Sequence, residues 1–284
     1  MKAGNASTTA AMVAALRARA STGEAPLLDD PWADGFAGPE GHRAAEVATA
    51  ANRNLELWVA LRTRFIDRIV ADWRHDVVLL GAGFDARAAR LAKPGRRFFE
   101  VDHPATQAAK QTVIAGHSGY PENAATLVPC DFETTDFAQA LRGAGFDAGR
   151  PALFIWEGVS MYLTEEAVAA TLSLLAGLHP ESVVVFDHVS RNMAEGRNLN
   201  KTETKTRDFV EELGEPVTFG TNHILPLMAN TGFRYVRTVA FDELSLADTG
   251  DYLGQWTFRF QWMVVASPTR PIELAVPGPT SEHP

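Results

Sequence analysis

Val77-Val78-Leu79-Leu80 runs without a break into Gly81-Ala82-Gly83-Phe84-Asp85. Four apolar residues ending at Gly-x-Gly form the pattern of a buried parallel strand that delivers the chain to a ligand-binding turn. The two glycines allow a sharp turn and leave no Cβ between the backbone and a ligand. Asp85 then sets a carboxylate where a dinucleotide would bring its pyrophosphate, so the turn suits a ligand without phosphates.

Further apolar runs follow at 97–101, 126–130, 153–156 and 183–186, with helix-like segments at 86–91, 105–115, 136–141 and 165–178 between them. Strand starts about 20 to 30 residues apart leave room for one crossover helix each. The expected fold is α/β: a doubly wound, mostly parallel, Rossmann-like sheet covered on both faces. Runs at 235–239 and 260–266 would add a terminal hairpin pair and bring the sheet to seven strands. Thr164, followed by Glu165 and Glu166, reads as a helix N-cap.

The first 75 residues read as a helical cap. It includes a helix at 10–20 and a long amphipathic helix carrying Trp58, Leu61, Phe65, Ile69 and Trp73 at spacings of three and four. The polar stretch 188–232 reads as a helical lid between strands five and six, and 267–284, with five prolines, as an extended tail. One domain over 1–266 is expected, with its cofactor-binding core at 76–187.

The net charge of −9 argues against a nucleic-acid surface. Cys130 is the only cysteine, which excludes an intrachain disulfide and a cysteine-based metal site; no metal is expected. No 18-residue apolar stretch and no signal-peptide pattern occurs, so a cytoplasmic protein without a membrane segment is expected.

In open α/β sheets ligands sit outside the carboxyl ends of the strands. Five successive strand ends carry acids here: Asp85; Glu100 and Asp102; Asp131 after Cys130; Glu157; and Asp187. Each alone reads as a solvated loop carboxylate. Gathered at one rim they repel one another, and a cationic, hydrogen-donating ligand would relieve that repulsion. S-adenosylmethionine has that chemistry. Asp102, 21 residues after Gly81, is placed for its ribose, with Glu100 beside it. Asp131 would take the adenine amine, with Phe132 against the ring.

Gly81-x-Gly83-x-x-Ala86 also satisfies the looser nicotinamide-dinucleotide pattern, leaving an NAD-dependent oxidoreductase as the alternative. Asp85 opposes that reading even if its role is only to cap a helix. A non-catalytic cofactor-binding protein is the third reading.

With those residues in view, the chain resembles the leucine carboxyl methyltransferase family of class I methyltransferases, in particular the bacterial branch of tetracenomycin-type polyketide carboxyl O-methyltransferases. The similarity spans residues 8–266. It rests on Leu27-Leu28-Asp29-Asp30-Pro31-Trp32-Ala33, Arg62-Thr63-Arg64-Phe65-Ile66-Asp67, the Gly81–Arg87 turn, Glu100-Val101-Asp102-His103-Pro104 and Trp156-Glu157-Gly158-Val159-Ser160-Met161-Tyr162-Leu163. The resemblance implies that Arg62 clamps the methionine carboxylate, with Arg64 and Arg87 as weaker candidates. It implies that Gly81, Ala82 and Gly83 approach the methionine, that Asp102 with His103 holds the ribose, and that Cys130, Asp131 and Phe132 enclose the adenine. Glu157 and Gly158 would lie at the cofactor's amino end. The implied activity is O-methylation of a small-molecule acceptor, foremost a carboxylic acid of a polyketide or other secondary metabolite, by a monomer or homodimer. Phenol, nitrogen and carbon acceptors are the alternatives.

A carboxylate acceptor is ionised at neutral pH and needs no base, whereas a phenol, with a pKa near 10, wants one. Of the eight histidines, His188 at a strand end and His223 in the lid are the candidate bases. Tyr162 is a candidate for the pocket wall, as are Phe132, Trp156, Phe209, Phe219 and Trp256. Packing in the core or solvation is the plain alternative for each of these.

Overall fold

The computed structural model describes residues 8–131, 136–251 and 259–273. Three helices come first: α1 (Thr8–Ala20), α2 (Ala33–Ala51) and α3 (Leu55–Asp72). The sheet then alternates with helices as β1 (Val77–Leu80), α4 (Arg87–Arg90), β2 (Phe98–Asp102), α5 (Pro104–Ala115), β3 (Thr126–Pro129), α6 (Phe137–Gly143) and β4 (Leu153–Trp156). A 3-10 turn (Ser160–Tyr162), α7 (Glu165–Leu178) and β5 (Val183–Val189) follow. Next come α8 (Arg191–Glu195), α9 (Lys201–Glu212), α10 (Ile224–Asn230), β6 (Tyr235–Ala240), α11 (Phe241–Thr249) and β7 (Gln261–Ser267).

The seven strands lie in the order β3-β2-β1-β4-β5-β7-β6. β1 to β5 pair in parallel, and β7 is antiparallel to both β5 and β6. The expected hairpin pair is therefore real as a pairing, but it is not tightly connected. α11 stands between its strands, and the last strand enters between β5 and β6.

Two apolar layers sandwich the sheet, as the alternation of strand side chains requires. Val77, Leu79, Val183 and Val185 pack with Leu61, Phe65, Ile66 and Val70 of α3. Val78, Leu80, Val184 and Phe186 face Phe137, Leu141, Val168 and Leu172 of α6 and α7. Sealing each large aliphatic or aromatic side chain contributes roughly 1.5–3 kcal/mol against chain entropy.

The helical cap is a third cluster. Met12, Leu16, Phe36 and Val59 close over Phe84 of the first turn. Arg17 fastens α1 there, donating from Nη2 to the Phe84 carbonyl at 2.5 Å and from Nε to Asp30 at 3.0 Å. α3 stops at Asp72, and Trp73, expected within the helix, turns extended as its C-cap. Thr164 caps α7 by accepting from the Ala167 N–H, as its sequence context predicts. No helix among the described residues is long and apolar enough to cross a membrane.

Candidate active site

The loop after β1 turns through Gly81 at φ +69° and Gly83 at φ +50°. A Cβ on Gly81 would sit 2.7 Å from Val159 Cγ2, so this turn and the one after β4 approach too closely for any side chain. The Gly83 N–H donates to Asp102 Oδ2 at 2.5 Å, and the His103 N–H to Oδ1 at 2.6 Å. Asp102 thus ties the β1 loop to the end of β2. Burial raises its carboxyl pKa, and the two N–H donors oppose that rise.

Glu100, two residues earlier on the same side of β2, is sealed inside. Lys110 of α5 donates to its Oε2 at 2.6 Å and to the Asp85 carbonyl at 2.5 Å. Burial pushes the Glu100 carboxyl up despite Lys110. Glu100, expected beside the ribose, is thus paired from within through Oε2.

Arg87 is buried among three acids. Its Nε donates to Asp67 Oδ1 at 2.6 Å, and its Nη1 to Glu157 Oε2 at 2.6 Å and to Asp85. The Arg87 N–H also donates to Asp85 Oδ1 at 2.6 Å, so Asp85 is a helix cap and an ion-pair partner together. Burial alone would raise the Asp85 pKa, but Arg87, Arg17 and Lys110 outweigh it and bring the carboxyl down to about 2. Arg87 faces inward to these acids, which corrects its expected place against the cofactor.

Arg62 occupies the neighbouring position. Its Nε donates to Glu157 Oε1 at 2.7 Å and its Nη1 to Asp187 Oδ2 at 3.0 Å, while its guanidinium lies 4.2 Å over the Trp58 ring. Glu157 therefore lies between two arginines. Burial opposes its charge, but Arg87 and Arg62 hold its carboxyl below the usual range. Gly158, at φ +68°, brings its backbone against Arg62; a Cβ there would lie 3.3 Å from Nη1. Its N–H donates to Asp187 Oδ1 at 2.6 Å.

The acids of the strand ends do converge on one rim, but a cationic ligand is not what reconciles them. Lys110, Arg87 and Arg62 balance Glu100, Asp85, Glu157 and Asp187 from within. Arg87 lies two residues from Asp85 and Lys110 ten from Glu100, whereas the partners of Glu157 and Asp187 come from 70 to 125 residues away. Asp187, expected among the rim acids but given no role of its own, is the one whose pairing the apolar run should have exposed: an acid in a buried strand needs a buried partner.

Cys130 is buried directly after β3, and Asp131 follows it half-buried. Phe132 and Trp256 lie outside the described residues. Trp156 and Phe219 belong to the core layer, whereas Phe209 reaches a cavity wall.

That cavity, of about 90 Å³, lies between the cap and the 190–217 segment. Met12, Trp58, Met161, Tyr162, Met193, Phe209 and Phe260 shape it, and Arg62 and Gly158 form its end toward the strand tips. Burial raises the Tyr162 phenol well above its ordinary pKa. Among the described lining residues Arg62 is the only charged one, and none is His, Asp or Glu.

Both candidate bases are corrected by their positions. Strand alternation turns His188 away from Asp187 and Arg62, onto the Trp262 ring at 5.5 Å. It is buried, and burial lowers its pKa. His223 begins α10 and lines a separate cleft with Glu165, Arg191 and Asn222. Neither borders the apolar cavity.

The strand order, the glycine turn and the acid at the end of β2 define a class I, S-adenosylmethionine-dependent methyltransferase. The model of the leucine carboxyl methyltransferase family matches residues 10–176, and the chain belongs to that family. Relatives agree. A Mycobacterium marinum protein, named by inference an S-adenosyl-L-methionine-dependent methyltransferase, is 32% identical over 256 residues, covering 83% of this chain and 85% of its own length. A Frankia alni protein of the same name is 36% identical over 183 residues; that match covers 60% of this chain and 64% of the relative. A solved methyltransferase structure from Thermobifida fusca, also named by inference, superposes with a TM-score of 0.63 at 12% identity, over 94% of this chain and 96% of that one. S-adenosylmethionine is accordingly the cofactor, and the nicotinamide reading falls.

Proposed function

We propose that the enzyme methylates a carboxylate oxygen of a small, largely apolar acceptor, forming a methyl ester of a polyketide-like or other secondary-metabolite acid. The observation that carries this reading is the cavity wall: apolar, cationic at one end, and without a general base among its described residues. A carboxylate needs no base, whereas a phenol held there would have none to deprotonate it. Trp58 Nε1 is a buried donor with no partner among the described residues, which suits an acceptor carrying an oxygen.

The residues at the strand tips fit the cofactor. Gly81 closes against Val159, Gly83 against Ala10 and Gly158 against Arg62, so these glycines let the turns gather at the strand tips. Arg62 would hold the methionine carboxylate, Glu157 the ammonium, Asp102 the ribose hydroxyls and Asp131 the adenine amine. When bound, the cofactor supplies an electrophilic methyl on a sulfonium. The protein aligns the acceptor and excludes water, since attack by an anion on a cation cancels charge and gains from a dry site. The 190–217 segment, with Met193, Phe209 and Val217 on the cavity, acts as the lid that does so.

The test is transfer of tritiated methyl from S-adenosylmethionine to matched apolar acids, phenols and amines. Alkali-labile label, released as methanol, is expected from the acids. Alkali-stable label on phenols or amines alone would overturn the carboxylate assignment.

A further inference from the structure

We propose that Asp187 is a positioning residue that sets the plane of Arg62 against the carboxylate of the methyl donor; this rests on the reading of Arg62 as the clamp. Asp187 lies in β5, where Val183-Val184-Val185-Phe186 precede it, and no part of it reaches solvent. An acid so placed costs stability unless its oxygens are filled. They are all filled by protein. Oδ1 accepts from the Gly158 N–H at 2.6 Å, Oδ2 from Arg62 Nη1 at 3.0 Å and from Gln261 Nε2 at 2.7 Å, and the carbonyl from Ser160 Oγ at 2.5 Å.

These bonds leave Asp187 no oxygen for a ligand, so its action runs through what it holds. A guanidinium gripped at one point can still swing about that bond. Arg62 is gripped at two: Glu157 takes Nε and Asp187 takes Nη1, while the Trp58 ring supports one face. Nη2 is left without a hydrogen bond among the described residues. A fork fixed in this way is ready for a carboxylate without the cost of ordering it. The same aspartate holds the Gly158 turn that backs Arg62 and Gln261 on the cavity wall. One residue thus registers the clamp, the β4 turn and β7.

A merely structural role would affect all ligands alike, and two probes separate the cases. S-adenosylhomocysteine carries the amino-acid carboxylate, whereas 5′-methylthioadenosine keeps the adenosine and sulfur but lacks that carboxylate. Titration calorimetry on Asp187→Asn should show at least a tenfold loss for S-adenosylhomocysteine, with 5′-methylthioadenosine within twofold of the parent protein. Equal losses for both probes, or no loss for either, would overturn the proposal. If Asp187→Asn does not fold, Asp187→Glu displaces the same charge by one methylene and is judged by the same comparison. Arg62→Ala run alongside separates the two inferences. If it weakens both probes equally, the clamp reading itself fails; if it is selective while the Asp187 variants are not, only the positioning role fails.

Discussion

Arg62 Nε and Glu157 Oε1 meet at 2.7 Å across 95 residues of chain, joining the middle of α3 to the tip of β4. Arg87 takes the other oxygen of that glutamate, so two helices and a strand end share one carboxylate. Both arginines are buried, which makes the arrangement costly to break and fixes the strand tips relative to α3 and α4.

Replacing Arg87 by Met should therefore destabilise the protein by about 3–5 kcal/mol, because Asp85 would lose its ion-pair partner, while Asp67 and Glu157 would each keep only one, Arg90 and Arg62. Urea unfolding of the two proteins measures it. A loss below about 1 kcal/mol would show the network to be solvated in solution.

Asp102→Ala removes the carboxylate proposed to hold the ribose and the acceptor that holds the Gly83 and His103 N–H groups. Cofactor binding should weaken by about 1–3 kcal/mol. An S-adenosylhomocysteine titration with unchanged affinity would refute the ribose assignment.

Acid should act through Asp85. Its folded-state pKa, about 2, lies below the ordinary carboxyl value, so its charge stabilises the fold above pH 4 and that contribution fades as pH falls toward 2. The stability gap between the parent and Asp85→Asn should shrink by about 2 kcal/mol over that window. Glu100, whose pKa is raised by burial, contributes with the opposite sign and is common to both proteins. Unfolding midpoints at pH 5 and pH 2.5 give the comparison, and a constant gap would contradict the pairing.

His188→Gln should leave turnover of a carboxylic acid within about threefold, because the imidazole faces away from the cavity. A loss of a hundredfold or more would restore it as a base.

Much of the sheet is legible in the sequence, because buried parallel strands write themselves as unbroken apolar runs. β1, β4 and α7 have the bounds that the runs and the Thr164 cap predict. β5 extends three residues beyond its apolar run, through Asp187 and His188, because Arg62 and Gln261 make a buried aspartate tolerable. α2 is harder to read: Gly38 and Pro39 interrupt it, and its many alanines mark no clear face. The convergence of acids could be inferred from the strand ends. Their neutralisation could not, since Lys110, Arg87 and Arg62 sit on helices where each would serve equally well as a surface cation.

The wedging of β7 between β5 and β6 also orders assembly in time. Until residues 261–267 leave the ribosome, β5 has an open hydrogen-bonding edge and Asp187 lacks its Gln261 partner. A nascent chain halted before that point carries an adhesive strand beside a half-compensated charge, which makes termination there a route to aggregation and ties closure of the sheet to the arrival of β7.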